Sequence, residues 1–138
     1  MEPQLDRTPK RLERIASGLV GTPYVAGGRD AKRGLDCWGV VLEFYRRAFG
    51  IDLPDPVSMA SATCEAAPVS DHFLRIEVEE SQPGDIGRFH VRDPGAGHLG
   101  IVLARKRILH PFDRAGVVVW PLRGVSSCYR YVGKDGKE

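Results

Sequence analysis

The stretch that decides the fold is LDCWGVVLEFYRRAFG, residues 35–50. Trp38, Val41, Leu42, Tyr45 and Phe49 recur at the spacing of one helical face. Glu43, Arg46 and Arg47 read as the outward face and Gly50 as the stop, so a helix is expected from about Cys37 to Phe49. Upstream, Thr8 followed by Pro9 is a helix start, because the hydroxyl can accept an orphan N–H and proline is tolerated at the first position. Leu12, Ile15, Ala16 and Leu19 then form one face of a first helix that Gly21 ends. The glycine-rich segment GTPYVAGGRDAKRG (21–34) between the two helices reads as a loop.

Downstream, three prolines surround a small-residue stretch in residues 51–70, which reads as a short helix. From about residue 72 the pattern turns to strands: Phe73–Val78, Ile86–Val91, His98–Ala104, Ile108–Phe112, Val117–Leu122 and Tyr129–Val132, separated by turn signals such as QPGD, RDPGAG and RKR. Helices first and strands afterwards give an α+β fold, with the helices packed on a five- to six-stranded antiparallel meander. Residues 1–132 are expected to form one domain and GKDGKE (133–138) a polar tail.

With 138 residues the chain has the size of one domain. Twenty basic residues against eighteen acidic ones leave a net charge of +2, too weak a field to imply a nucleic-acid partner. No apolar run approaches the roughly 18 residues of a membrane span. The start, MEPQLDRTPKRLER, lacks a signal-peptide core, so the expectation is a protein made in the cytoplasm without a secretion address or a membrane partner. Cys37, Cys64 and Cys128 are widely spaced without a CxxC, which suggests neither a zinc ribbon nor a disulfide framework, and an odd count leaves at least one thiol free.

Cys37 follows Asp36 at the amino end of the second helix, where unpaired N–H groups and the helix dipole favour a thiolate. The alternative is a buried core cysteine, and for Asp36 a plain N-cap. A nucleophilic thiol needs a base. Of His72, His90, His98 and His110, the first two read as surface or core-capping residues, whereas His98 and His110 lie on successive strands. If RKR is a three-residue turn, Ala104 pairs with Ile108 and the two histidines fall on one face but about 13 Å apart. Spacing alone therefore does not join them. Tyr24 could offer its hydroxyl to an oxyanion or simply pack. Arg29, Lys32 and Arg33 could bind an anionic group or stay solvated. Gly27-Gly28 lacks the ending of a phosphate loop. Cys64 and Cys128 read as small apolar fillers.

Six segments in order resemble the NlpC family of papain-like cell-wall cysteine peptidases: GTPYVAGG (21–28), LDCWG (35–39), GIDLP (50–54), QPGDIGRF (82–89), GHLGIVL (97–103) and ILHPF (108–112). The resemblance implies a papain-like fold, with Cys37 as nucleophile, His98 as general base and then acid, and His110 as the residue that orients His98. It further implies the Cys37 backbone N–H and the Tyr24 hydroxyl as oxyanion donors, Asp36 as the holder of a substrate ammonium, and no metal or organic cofactor. The implied substrate is a peptidoglycan stem peptide, cut between γ-D-glutamate and the diamino acid. Trp38 stands where the family usually has a serine, which implies an altered substrate-binding wall. The CWG segment looks most like members associated with phage tails, implying tail proteins as partners and delivery to the cell wall. Other readings are a non-catalytic tail component of the same fold, an acyltransferase, or a zinc site made of Cys37, His98 and His110.

Overall fold

The computed structural model describes residues 4–55, 72–89, 98–112 and 114–133. Helix α1 (Pro9–Leu19) and helix α2 (Cys37–Phe49) are joined by a loop that holds a two-stranded hairpin, β1 (Arg29–Asp30) and β2 (Gly34–Leu35). The strands β3 (Phe73–Ile76), β4 (Ile86–Phe89), β5 (His98–Leu103), β6 (Arg107–Phe112), β7 (Gly116–Pro121) and β8 (Val125–Tyr131) follow. Both helices begin and end close to the residues expected from the sequence. The expected α+β architecture, two helices on a six-stranded antiparallel sheet, is the one observed. Cys64, His90, most of the 51–70 segment and all but the first residue of the expected tail lie outside the described residues.

Three local expectations are corrected. Thr8 makes no side-chain cap; its hydroxyl donates to the Asp6 carboxylate at 2.6 Å, and that carboxylate also accepts the Thr8 N–H. Glu43 does not face outward: it is buried, and its two oxygens are taken up by Arg46 and Arg47, the bond from Arg47 measuring 2.8 Å. The reason is that α2 is buried on more than one side, against α1, β5 and β6, so Val40 and Phe44 are fully buried besides the expected stripe. Third, the sheet is not a simple meander. Its order is β3-β8-β4-β5-β6-β7, so the last strand inserts between β3 and β4 and buries Cys128 and Tyr129. Pairing between strands so distant in sequence leaves no local trace in composition or periodicity.

The helices cover the sheet face that carries Leu99, Ile101, Leu103, Leu109 and Val117, and this is the main core. Burying side chains of that size contributes roughly 1.5–3 kcal/mol each. The direction of α2 across the sheet is fixed near its carboxyl end, where the Tyr45 hydroxyl donates to the Gly84 carbonyl at 2.7 Å in a buried contact. Gly84 in turn donates its N–H to Val102 of β5. From Tyr45 back to Cys37 the helix rises about 12 Å. From Val102 back to His98 the strand runs about 13 Å. Val117 of β7, paired with Pro111 next to His110, is hydrogen-bonded to Gly21 and Thr22, and Tyr24 bridges Leu35 just before α2, so the amino end of α2 lies at the same end of the sheet as the start of β5.

Candidate active site

The two histidines meet. Observed pairs Leu103↔Arg107, Val102↔Ile108 and Ile101↔Leu109 place the turn at Ala104-Arg105-Lys106, one residue earlier than the RKR reading. Arg105 and Lys106 both adopt positive φ, 63° and 56°, conformations that sequence propensity does not assign to arginine and lysine. The shift reduces the separation of His98 and His110 along the sheet from four residues to two, making them diagonal neighbours across adjacent strands. Their Nε2 and Nδ1 atoms lie 2.9 Å apart.

Gly100 permits this contact. Continuing the register sets it opposite His110, where a β-carbon would lie 2.5 Å from the Leu109 carbonyl oxygen and 3.0 Å from the His110 β-carbon. A glycine inside an apolar strand signals such a close approach, and HLGIVL carried that signal unread. Aromatic rings complete the surroundings: Phe89 contacts both imidazoles, at centroid distances of 5.3 and 4.9 Å, and Trp120 meets His110 at 5.2 Å. Burial lowers the His98 pKa below its usual 6.5, although the Pro111 carbonyl partly offsets this. His110 is held at about 4, first by burial and then by the neighbouring His98. Both rings are therefore neutral near pH 7, and one N–H is shared between them.

On the other flank, Asp36 is the N-cap of α2: its carboxylate accepts the Gly39 N–H at 2.7 Å and the Gly27 N–H at 3.1 Å. Arg29 donates to the same carboxylate at 2.6 Å and forks onto Asp55 at 2.9 and 3.1 Å. Arg29 is thus engaged by carboxylates and not held out toward an anionic substrate, and its charge offsets that of Asp36 beside the helix start that carries Cys37. Lys32 and Arg33 take no part in this network; Arg33 is an exposed surface residue facing Asp30.

The loop that carries Tyr24 is anchored at both sides. Leu35 donates its N–H to the Pro23 carbonyl at 2.9 Å, and a parallel bridge joins Tyr24 to Leu35, two residues before Cys37. Gly21 and Thr22 exchange hydrogen bonds with Val117 of β7, the Gly21 N–H donating to the Val117 carbonyl at 2.9 Å and the Val117 N–H donating to the Thr22 carbonyl at 2.8 Å. Gly116, at φ 76°, makes room for this approach, since a β-carbon there would sit 2.4 Å from the Thr22 oxygen. No sequence signal connected the loop to β7.

Trp38 is buried, 3% exposed, and its indole N–H donates to the Pro54 carbonyl at 3.1 Å, so it acts on the start of α2 by packing. Cys37 is disulfide-bonded in this structure, and among the described residues Cys128 is a free thiol. The cysteine spacing suggested no disulfide framework, and the Cys37 disulfide corrects that expectation; thiol chemistry at Cys37 belongs to the reduced protein. Cys128 is held inert, because burial pushes its thiol up to about 11. Among the described residues, no group of three His, Cys, Asp or Glu side chains is arranged to hold a metal ion. Nor is any of their helices long and apolar enough to cross a membrane.

A histidine pair thus stands at the rim of the sheet, and a cysteine starts the central helix. Residues 21–135 match the NlpC/P60 family. The chain belongs to the NlpC/P60 family. It is 36% identical over 99 residues to a "Probable endopeptidase" of Haemophilus influenzae, a match covering 71% of this chain and 55% of that protein. It is 30% identical over 95 residues to "Gamma-DL-glutamyl hydrolase" of Bacillus subtilis, covering 68% of this chain and 21% of that protein. The chain thus spans about half or less of the length of these curated relatives. The crystal structure of the NlpC/p60 domain of the peptidoglycan hydrolase SagA superposes with a TM-score of 0.64 at 25% identity, covering 89% of this chain and 98% of that one.

Proposed function

We propose that the reduced protein is a cysteine peptidase that hydrolyses an amide bond in peptidoglycan stem peptides, the bond between γ-D-glutamate and the diamino acid. The observation that carries this reading is the His98–His110 pair, neutral and hydrogen-bonded, at the end of the sheet to which the loop leading into α2 is tied through Val117 and Leu35. The names of the relatives, an endopeptidase and a γ-glutamyl hydrolase, support the bond type.

In this mechanism His98 accepts the Cys37 thiol proton, and the thiolate attacks the amide carbonyl carbon. The oxyanion is held by the Cys37 backbone N–H and the Tyr24 hydroxyl. The imidazolium of His98 gives its proton to the leaving nitrogen as the C–N bond breaks, leaving a thioester on Cys37 and a free amine. Water, deprotonated by His98, then attacks the thioester; the thiol is released and a γ-carboxylate is formed. His110 holds the His98 ring in place and accepts or donates the shared proton as His98 changes charge. Asp36, compensated by Arg29, caps the helix and contacts the amino end of the substrate, and Trp38 sets the wall behind the nucleophile from within the core. The chemistry requires no metal or organic cofactor.

The CWG segment supports a placement of this activity with a phage tail or a related transfer particle, synthesised in the cytoplasm and delivered to the wall. Incubation of the reduced protein with defined tri- and tetrapeptide muropeptides, read by mass spectrometry, tests the reaction. The expected products sum to the substrate plus one water, with loss of turnover in Cys37→Ala. A Cys37→Ala protein that cleaves at the parental rate overturns the mechanism. A product carrying an added amine or alcohol in place of water identifies an acyltransferase.

A further inference from the structure

Phe112, the last residue of β6, and Trp120, near the end of β7, keep 43% and 42% of their surfaces exposed although they are ordered against each other, with ring centroids 4.6 Å apart. Both also contact His110, at 6.2 and 5.2 Å. The pair thus extends the histidine face outward without a break. Large apolar rings left in solvent beside a reactive centre mark a surface that something covers. The two flanks of the site differ in chemistry. The loop flank is ionic, with Arg29, Asp36 and Asp55 linked to one another. The strand flank presents Phe89, Phe112 and Trp120 around the His110 ring, which is itself neutral near pH 7.

A ligand group that covers the strand flank has to offer an apolar face to the rings. The stem peptide carries carboxylate and ammonium groups, which suit the ionic flank. The sugar rings of the glycan are uncharged in their rings and present a face of C–H groups, slightly positive, to the electron-rich face of an aromatic ring. We propose that Phe112 and Trp120 form a shelf that binds a sugar ring of the substrate beside the histidine pair. This inference rests on the peptidoglycan reading given above.

The fluorescence of the protein reports on it directly, because Trp38 is buried and Trp120 is the exposed indole of the two tryptophans. Reduced Cys37→Ala protein is titrated with a disaccharide-bearing muropeptide and with the same peptide free of sugar. The expected result is a blue shift with the sugar-bearing ligand alone and an affinity about tenfold tighter than for the bare peptide. Trp120→Ala removes the difference while Trp120→Phe retains part of it, and Phe112→Leu, chosen to preserve packing, weakens it. Equal affinity for the two ligands, or a sugar preference that survives both Trp120→Ala and Phe112→Leu, overturns the shelf. If the parent protein nonetheless cleaves the bare peptide, the peptidase reading stands and the shelf alone fails. If neither ligand binds and neither is cleaved, both fail.

Discussion

His98 Nε2 and His110 Nδ1 lie 2.9 Å apart although their residues are two positions out of register on adjacent strands. With both pKa values lowered by burial, the pair is neutral at pH 7, and its protonation governs the acid side of every property that depends on it.

Stability follows the same titration. The folded pKa of His110 is about 4 against 6.5 in the unfolded chain, so below pH 6.5 the unfolded state binds more protons and stability falls with pH until about pH 4. Urea unfolding of parent and His110→Gln between pH 4 and 8 should show a loss on the order of a few kcal/mol for the parent toward pH 4 and a flatter profile for the variant. A parent protein that gains stability on acidification across this window contradicts the buried neutral pair. In the same range the hydrolytic rate should fall as His98 becomes protonated, and His110→Ala should lower kcat by about a hundredfold or more at pH 7.

Gly116 couples the Tyr24 loop to the sheet. Gly116→Ala introduces a side chain at positive φ and against the Thr22 carbonyl, so the two hydrogen bonds between the loop and Val117 must lengthen or break. We expect a stability loss of about 1–3 kcal/mol and a fall in kcat larger than the change in KM. Faster amide hydrogen exchange at Val117 would locate the damage. Unchanged exchange there would show that the loop adapts without moving.

Asp36 separates capping from charge. Asp36→Asn keeps an oxygen for the Gly39 N–H but gives up the ion pair with Arg29; Asp36→Ala loses both. The alanine variant should lose about 1 kcal/mol for the cap and the asparagine variant less, as measured by thermal unfolding. Equal losses would mean that the cap contributes nothing measurable.

Cysteine reactivity distinguishes the buried thiol from the candidate nucleophile. In the folded, reduced protein at pH 7, iodoacetamide should alkylate Cys37, at the start of α2, and leave Cys128 unmodified, because the Cys128 thiol is pushed up to about 11. Without reductant, labelling of Cys37 and hydrolysis should both be lost, since Cys37 is then held in a disulfide. Peptide mapping by mass spectrometry reads both outcomes, and rapid modification of Cys128 would show that the strands around it open.

Much of this protein is determined by sequence alone. The apolar period from Cys37 to Phe49 specifies the central helix because burial of one face is a local, repeating signal, and Asp36 and Gly50 bound it by backbone chemistry that acts within a turn. Alternation in the later segments specifies strands for the same reason, and the ordered motifs singled out Cys37, His98 and His110. What only the tertiary structure decided is everything that depends on contacts between distant segments. The insertion of β8 between β3 and β4 is one such feature, and the burial of Glu43 is another. Arg29 bound between Asp36 and Asp55, and Thr22 paired with Val117, complete the surroundings of the site. The histidine pair shows the division most clearly. Parity along two strands was legible, but the register was not: it depends on two residues at positive φ in the turn and on the space that Gly100 leaves for His110, and both are fixed by packing across the sheet.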